Sequence, residues 1–150
     1  QRNAAALVEA IKPFAGADGP VRLPRLGCNG CSTTSGFGGT RPCASGCVHG
    51  QYKFYAHVRP RHLAQGWHRD RIIETISAAG VPCYQGSCSE VYLEKAFDGT
   101  GWRPAQRLPV ARELGETSLM WLVHPTLTDA EISRSAEVIA EVLSQAGGAR

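Results

Sequence analysis

The 150-residue sequence predicts an α+β fold, a small antiparallel or mixed sheet with helices packed on one side. Three observations carry that expectation. Between Thr117 and Val123 lies an almost unbroken apolar run of Leu119, Met120, Trp121, Leu122 and Val123, bounded by Gly115 and Pro125. So short a run reads as a strand covered on both faces and is the candidate centre of the core. From Gln51 to Arg59 the chain alternates, and other stretches repeat apolar residues at helical spacing between these strands.

Taken in order, Ala4, Leu7, Val8, Ile11 and Phe14 predict an amphipathic helix from about Arg2 to Lys12, stopped by Pro13. From Ala15 to His49 Gly, Pro, Ser, Thr and Cys dominate, which reads as a long loop or a small inserted excursion. The alternating strand then sets Tyr52, Phe54, Ala56 and Val58 toward the core and Lys53, Tyr55, His57 and Arg59 away from it. After Pro60, residues Ile72, Ile73, Ile76 and Ala79 predict a second helix with Gly80 as its stop.

Val81 to Tyr84 fits a short strand, Gln85 to Glu90 an exposed polar bend near a pocket, Val91 to Phe97 one helical turn, and Asp98 to Gly101 a turn. Pro109 suits a first helical position, where a missing N–H costs nothing. Val110, Ala111 and Leu114 give that short helix an apolar side, and Gly115 can end it in a left-handed cap. Thr128 and Glu131 form the Thr-x-x-Glu capping box of a last helix carried by Ile132, Ala136, Ile139 and Leu143.

A composition of 43% hydrophobic and 19% charged residues belongs to a folded chain, and 150 residues suffice for one domain, with an insertion at about 15–49. The net charge of +3 comes from scattered arginines, without a dense basic run or interleaved aromatics, so nucleic acid is not an expected partner. No apolar segment approaches the roughly 20 residues that cross a bilayer. A membrane partner is not expected, and without a secretory signal the expected location is cytoplasmic. The sequence opens on Gln1 directly in helical residues, as a truncated or processed product would.

Cys28, Cys31, Cys43 and Cys47 form a C-x-x-C followed by a C-x-x-x-C inside the Gly-rich segment. Two pairs at that spacing can direct four thiolates at one tetrahedral zinc ion, which would order the loop. Disulfides and free thiols are the other readings, the latter suited to a reducing compartment.

Three stretches, HGQYKFYAHVRP (49–60), RDRIIETISAAGVPCYQGSCSEVYLEKAF (69–97) and LPVARELGETSLMWLVHPTLTDAEI (108–132), resemble the C-terminal part of the DegT/DnrJ/EryC1/StrS family of pyridoxal-phosphate-dependent sugar aminotransferases. The last is the most specific. The resemblance implies the C-terminal small domain of a fold-type-I enzyme, with the large pyridoxal-phosphate domain and its lysine outside this sequence. No catalytic residue is therefore expected in this chain.

It further implies a complete enzyme, commonly a homodimer, that moves an amino group from a donor amino acid such as glutamate to a nucleotide-linked keto sugar. Gln85, Ser87, Cys88, Glu90 and Tyr92 fall where such a domain faces its substrate and offer hydrogen bonds to sugar hydroxyls; the plain alternative is a polar turn that caps the helical residues after it. Lys53 could reach an anionic group such as a nucleotide diphosphate, or could simply be solvated. Two other readings stand beside the aminotransferase: a deoxy-sugar dehydratase of the same family, and a freestanding binding or assembly module stabilised by the cysteine loop.

Overall fold

The computed structural model describes residues 2–23, 26–27, 31–32 and 53–147. Among the described residues, four α-helices and six strands follow one another as α1 (Arg2–Ile11), β1 (Val21–Arg22), β2 (Leu26–Gly27), β3 (Cys31–Ser32), β4 (Lys53–Val58), α2 (Arg69–Ala78), β5 (Cys83–Tyr84), α3 (Pro109–Thr117), β6 (Ser118–Leu122) and α4 (Asp129–Ala146). The main sheet is antiparallel throughout, in the order β1-β4-β6-β5, and β2 pairs with β3 in a separate two-stranded ribbon.

The apolar run from Leu119 to Val123 lies between β4 and β5, and Leu119, Trp121 and Val123 are buried. Register fixes which residues share a face. Phe54 pairs with Trp121, Ala56 with Leu119, Val58 with Val21, and Cys83 with Trp121, so these side chains form one buried layer. Helices α1, α2 and α4 cover it with Leu7, Ile11, Ile72, Ile76, Ile139 and Leu143. Each such large apolar side chain contributes about 1.5–3 kcal/mol when fully buried. The indole of Trp121 and the ring of Phe54 stack at 6.2 Å.

Local chemistry sets the element ends. Helix α2 opens on His68, whose Nδ1 accepts the Arg71 N–H at 3.2 Å, a cap that the sequence reading missed. It closes on Gly80 at φ 83°, with the Gly80 and Val81 N–H groups returning to the Ser77 and Ile76 carbonyls. Helix α4 has the expected capping box, with Thr128 and Glu131 bonding each other's backbone N–H.

Several boundaries differ from the sequence reading. Pro13 does not stop the first helix abruptly; a 3-10 turn, Lys12–Phe14, carries it on. The expected single turn at 91–97 is two 3-10 turns, Val91–Leu93 and Lys95–Phe97. Within the stretch read as loop, Val21 is a fully buried edge-strand residue beside Val58. Gly115 does not end α3, which runs on to Thr117. A Cβ at Gly115 would collide with the Ser89 hydroxyl, so glycine serves close approach there rather than a left-handed turn.

Candidate functional site

The opposite face of the same sheet is chemically different. The register that buries Phe54 and Ala56 turns Tyr55 and His57 to the other side, beside Met120 and Ser118 respectively, with Arg22 beyond His57. Helix α3 packs against β4, and its Leu114 lines a recess with Tyr55, His57 and Ser118. The polar bend from Gln85 to Glu90 lies across this face.

Three contacts hold the bend down. Ser118 Oγ donates to the Gln85 carbonyl, Tyr55 and Ser87 hydroxyls meet at 3.0 Å, and Gln85 Nε2 donates to Asp70 Oδ1 at 3.4 Å. Gly86 sits at φ 95°, and a Cβ there would press within 3.1 Å of both Ser118 Oγ and the Tyr55 ring. Only glycine meets both the conformation and the close approach without strain.

Two adjoining recesses result, sharing Ser87, Cys88 and Ser89. One, of about 270 Å³, is bordered by Tyr55, His57 and Ser118. The other, of about 450 Å³, is bordered by Gln85, Glu90, Glu94 and Lys95. Tyr55, Ser87, Ser89, Ser118 and Gln85 bring hydroxyls and an amide that can both donate and accept, beside the Cys88 thiol, the charged Glu90, Glu94 and Lys95, and the apolar Leu93 and Leu114. Burial, assisted by the Arg22 charge and opposed by Glu113, lowers the His57 pKa and favours neutral imidazole. Its Nδ1 has no hydrogen-bond partner among the described residues. The exposed Cys88 thiol donates to Glu94 Oε1 at 3.5 Å, whereas burial pushes the Cys83 thiol, under the sheet, up to about 12.

Glu90 and Tyr92 form a strut at the border. Tyr92 donates to Glu90 Oε1 at 2.6 Å and accepts the Leu108 N–H at 2.9 Å. Arg107 grips the same carboxylate with Nε at 2.9 Å and with Nη2. The Arg107 guanidinium, helped by the Tyr92 hydroxyl, holds the Glu90 pKa down at about 2. Together these groups pin the start of α3.

Of the residues expected from the sequence, Gln85, Ser87, Cys88 and Glu90 are brought together at the recesses. Tyr92 stands behind Glu90 in the strut. Lys53 shares the face of Tyr55 but lines neither recess. Sequence reasoning missed Tyr55, His57, Gly86, Ser89, Arg107 and Ser118; the alternation of β4 already put Tyr55 and His57 on one non-core face. Cys28, Cys43 and Cys47 lie outside the described residues, as does Tyr52, and Cys31 is described only as backbone of β3, so the zinc expectation falls outside the described structure.

The fold is of one class with the C-terminal domains of aminotransferases, an α+β build. The particular resemblance is to the DegT/DnrJ/EryC1/StrS aminotransferases, and it holds in three dimensions. An aminotransferase from Psychrobacter cryohalolentis matches with a TM-score of 0.76 and 46% identity, over 94% of this chain and 32% of that one. A DegT DnrJ EryC1 StrS aminotransferase from Brucella abortus matches at 0.57 and 20% identity, over 92% of this chain and 28% of that one. The aminotransferase TlmJ from Streptoalloteichus hindustanus matches at 0.60 and 15%, over 95% and 31%. The last two share the fold alone. The chain thus spans about a third of the length of the aminotransferases it matches. No family model and no curated protein matches the sequence. Among the described residues no helix is long and apolar enough to cross a membrane.

Pyridoxal phosphate, the cofactor that the family implies, needs a lysine amine desolvated against it. The three lysines here do not provide one. Lys12 is exposed beside Glu9 at 3.6 Å, Lys95 is exposed on a 3-10 turn, and Lys53 is half-buried at the start of β4 outside both recesses. The residues of this chain do not by themselves fit the cofactor.

Proposed function

We propose that this chain is the substrate-facing small domain of a pyridoxal-phosphate-dependent aminotransferase acting on a nucleotide-linked keto sugar. The similarity to the Psychrobacter cryohalolentis aminotransferase, 46% over nearly the whole chain, carries the reading. The hydroxyl-rich recesses agree with it, because a sugar is held by many neutral hydrogen bonds from pre-positioned groups. In this reading Gln85, Ser87 and Cys88 contact the sugar, with Tyr55 and His57 as further partners. Glu90 and Tyr92 act as positioning residues, since their polar atoms are already engaged. The cofactor's lysine and ring-binding groups come from elsewhere in the complete protein, which acts as a homodimer with an amino-acid donor.

The surface around the site agrees with its being one side of a larger interface. Tyr84, Val91, Leu93, Trp102, Leu108 and Val110 are the exposed large apolar residues among those described, and all fall between 84 and 110. Trp102 is 77% exposed, although Trp is highly buried on average.

The test is steady-state kinetics of the protein as encoded, with pyridoxal phosphate, glutamate and nucleotide-linked keto sugars. Gln85→Ala and Ser87→Ala should raise KM for the sugar about tenfold each while leaving KM for glutamate unchanged, as loss of one hydrogen bond to a bound hydroxyl implies. Absence of amino-sugar formation, or an unchanged sugar KM in both variants, overturns the reading.

A further inference from the structure

Arg69, the first residue of α2, is out of place by local rules. A cation at that end of a helix meets the partial positive charge of the unpaired N–H groups. Its side chain is nevertheless only 14% exposed, whereas the arginines of the other ion pairs among the described residues are at least 37% exposed. Burying a guanidinium is costly unless its charge and N–H groups are met, so its partners account for its place.

Those partners lie on two elements. Nη1 donates to the Gly115 carbonyl at 3.0 Å. That carbonyl belongs to the last turn of α3, which holds no basic residue of its own for the negative end of the helix. Arg69 thus supplies from α2 the cation that α3 lacks. Nε lies 2.6 Å from Asp70 Oδ1, a charge contact off the line of the N–H, because this Nε has no aligned hydrogen-bond partner among the described residues. Asp70 Oδ1 in turn accepts from Gln85 Nε2 at 3.4 Å.

Both ends of this chain of contacts, Gly115 and Gln85, border the 450 Å³ recess. At Gly115 the bend leaves no room for a Cβ beside Ser89, so the position that Arg69 fixes is a tight one. At Gln85 the contact sets the direction of the amide. An ionised carboxylate only accepts, so the amide has to turn its NH2 toward Asp70. Ser118 holds the backbone carbonyl of the same residue, which fixes Gln85 at its main chain and at its tip. Oε1, which can only accept, has no hydrogen-bond partner among the described residues.

We propose that Arg69 and Asp70 are positioning residues of the recess. Arg69 locks α2 to the end of α3 and orients the Asp70 carboxylate, which turns Gln85 so that Oε1 is offered to a hydroxyl of the bound ligand. The inference rests on the proposed sugar reading and adds to it two residues that touch no ligand and the direction of one hydrogen bond, from the ligand to the protein.

Double-mutant cycles on the protein as encoded, with pyridoxal phosphate, glutamate and nucleotide-linked keto sugars, test the assignment. Asp70→Ala should raise KM for the sugar about fivefold, as having to fix one free side chain on binding implies, and should not raise KM for glutamate. In the Gln85→Ala background it should add nothing. Arg69→Gln, which keeps an N–H donor but removes the charge beside Asp70, should behave in the same way. An effect of either change that adds in full to that of Gln85→Ala overturns the proposal, because a general loosening of the fold does not need Gln85. The side-chain amide NMR signal of Gln85 in the ligand-free chain is a second readout. It should shift in Asp70→Ala, and an unmoved signal overturns the positioning whatever the ligand is. The two readings fail separately. A shifted amide signal with a sugar KM indifferent to Gln85→Ala overturns the sugar reading alone. A sugar KM raised by Gln85→Ala but not by Asp70→Ala overturns the positioning alone.

Discussion

The two faces of one four-stranded sheet have been built for different ends. One carries Phe54, Ala56, Leu119 and Trp121 under three helices and is dry; the other carries Tyr55, His57 and Ser118 under a polar bend and the short α3. On the first face volume and hydrophobicity decide everything, and neighbours can be exchanged for others of similar size. On the second, particular atoms matter: a hydroxyl on a carbonyl, a glycine under a tyrosine ring, an arginine on a carboxylate. A single pleat serves both because successive side chains of β4 point opposite ways.

The comparison can be broken most forcefully by truncation. Trp121→Ala empties the first face and should remove about 3–5 kcal/mol of stability in denaturant unfolding. Gly115→Ala strikes the second face and should act through one neighbour. Alanine gains about 1 kcal/mol of helix propensity over glycine, yet here its Cβ meets Ser89 Oγ. In a double-mutant cycle, Gly115→Ala should therefore be at least about 1 kcal/mol more favourable with Ser89→Ala than with Ser89 present. Additive effects would mean that the bend does not rest on α3. No such rescue by a single neighbour is expected for Trp121→Ala.

The smallest effect is local and depends on pH. The Arg107 and Tyr92 hydrogen bonds lower the Glu90 pKa from 4.5 to about 2. A carboxylate with a depressed folded-state pKa adds stability that is complete above its unfolded value and is lost as the pH falls toward the folded one. The difference in Tm between the wild type and Glu90→Gln should thus be constant at neutral pH and shrink between about pH 4.5 and 2. A difference that stays constant throughout that window would mean that the strut does not form.

How much of this the sequence revealed divides along the same line. The first face is written in periodicity, which survives in one dimension: the alternation of β4, the run of β6 and the capping box of Thr128 and Glu131 all stand in the structure. Gly115 misled because a glycine near a helix end has two common uses, and the nearness of Ser89, 26 positions back in the sequence, decides between them. Val21 was hidden because a two-residue edge strand shows no period at all. The site was half legible. The bend from Gln85 to Glu90 stood out by composition, whereas its partners Tyr55, Ser118 and Arg107 are distant in sequence and meet it only through sheet register and the path into α3. Arg69 is the extreme case: Gly115, 46 positions on, and Gln85 reach the Arg69–Asp70 pair only in the fold.

The central claim is that the second face, and not the first, meets the substrate. Backbone NMR shifts of the chain, followed as a nucleotide-linked sugar is added, address it most directly. The account predicts changes at Tyr55, His57 and Gln85–Cys88, with α1 and α4 silent. Changes confined to α1 and α4, or none at saturating ligand, would contradict it.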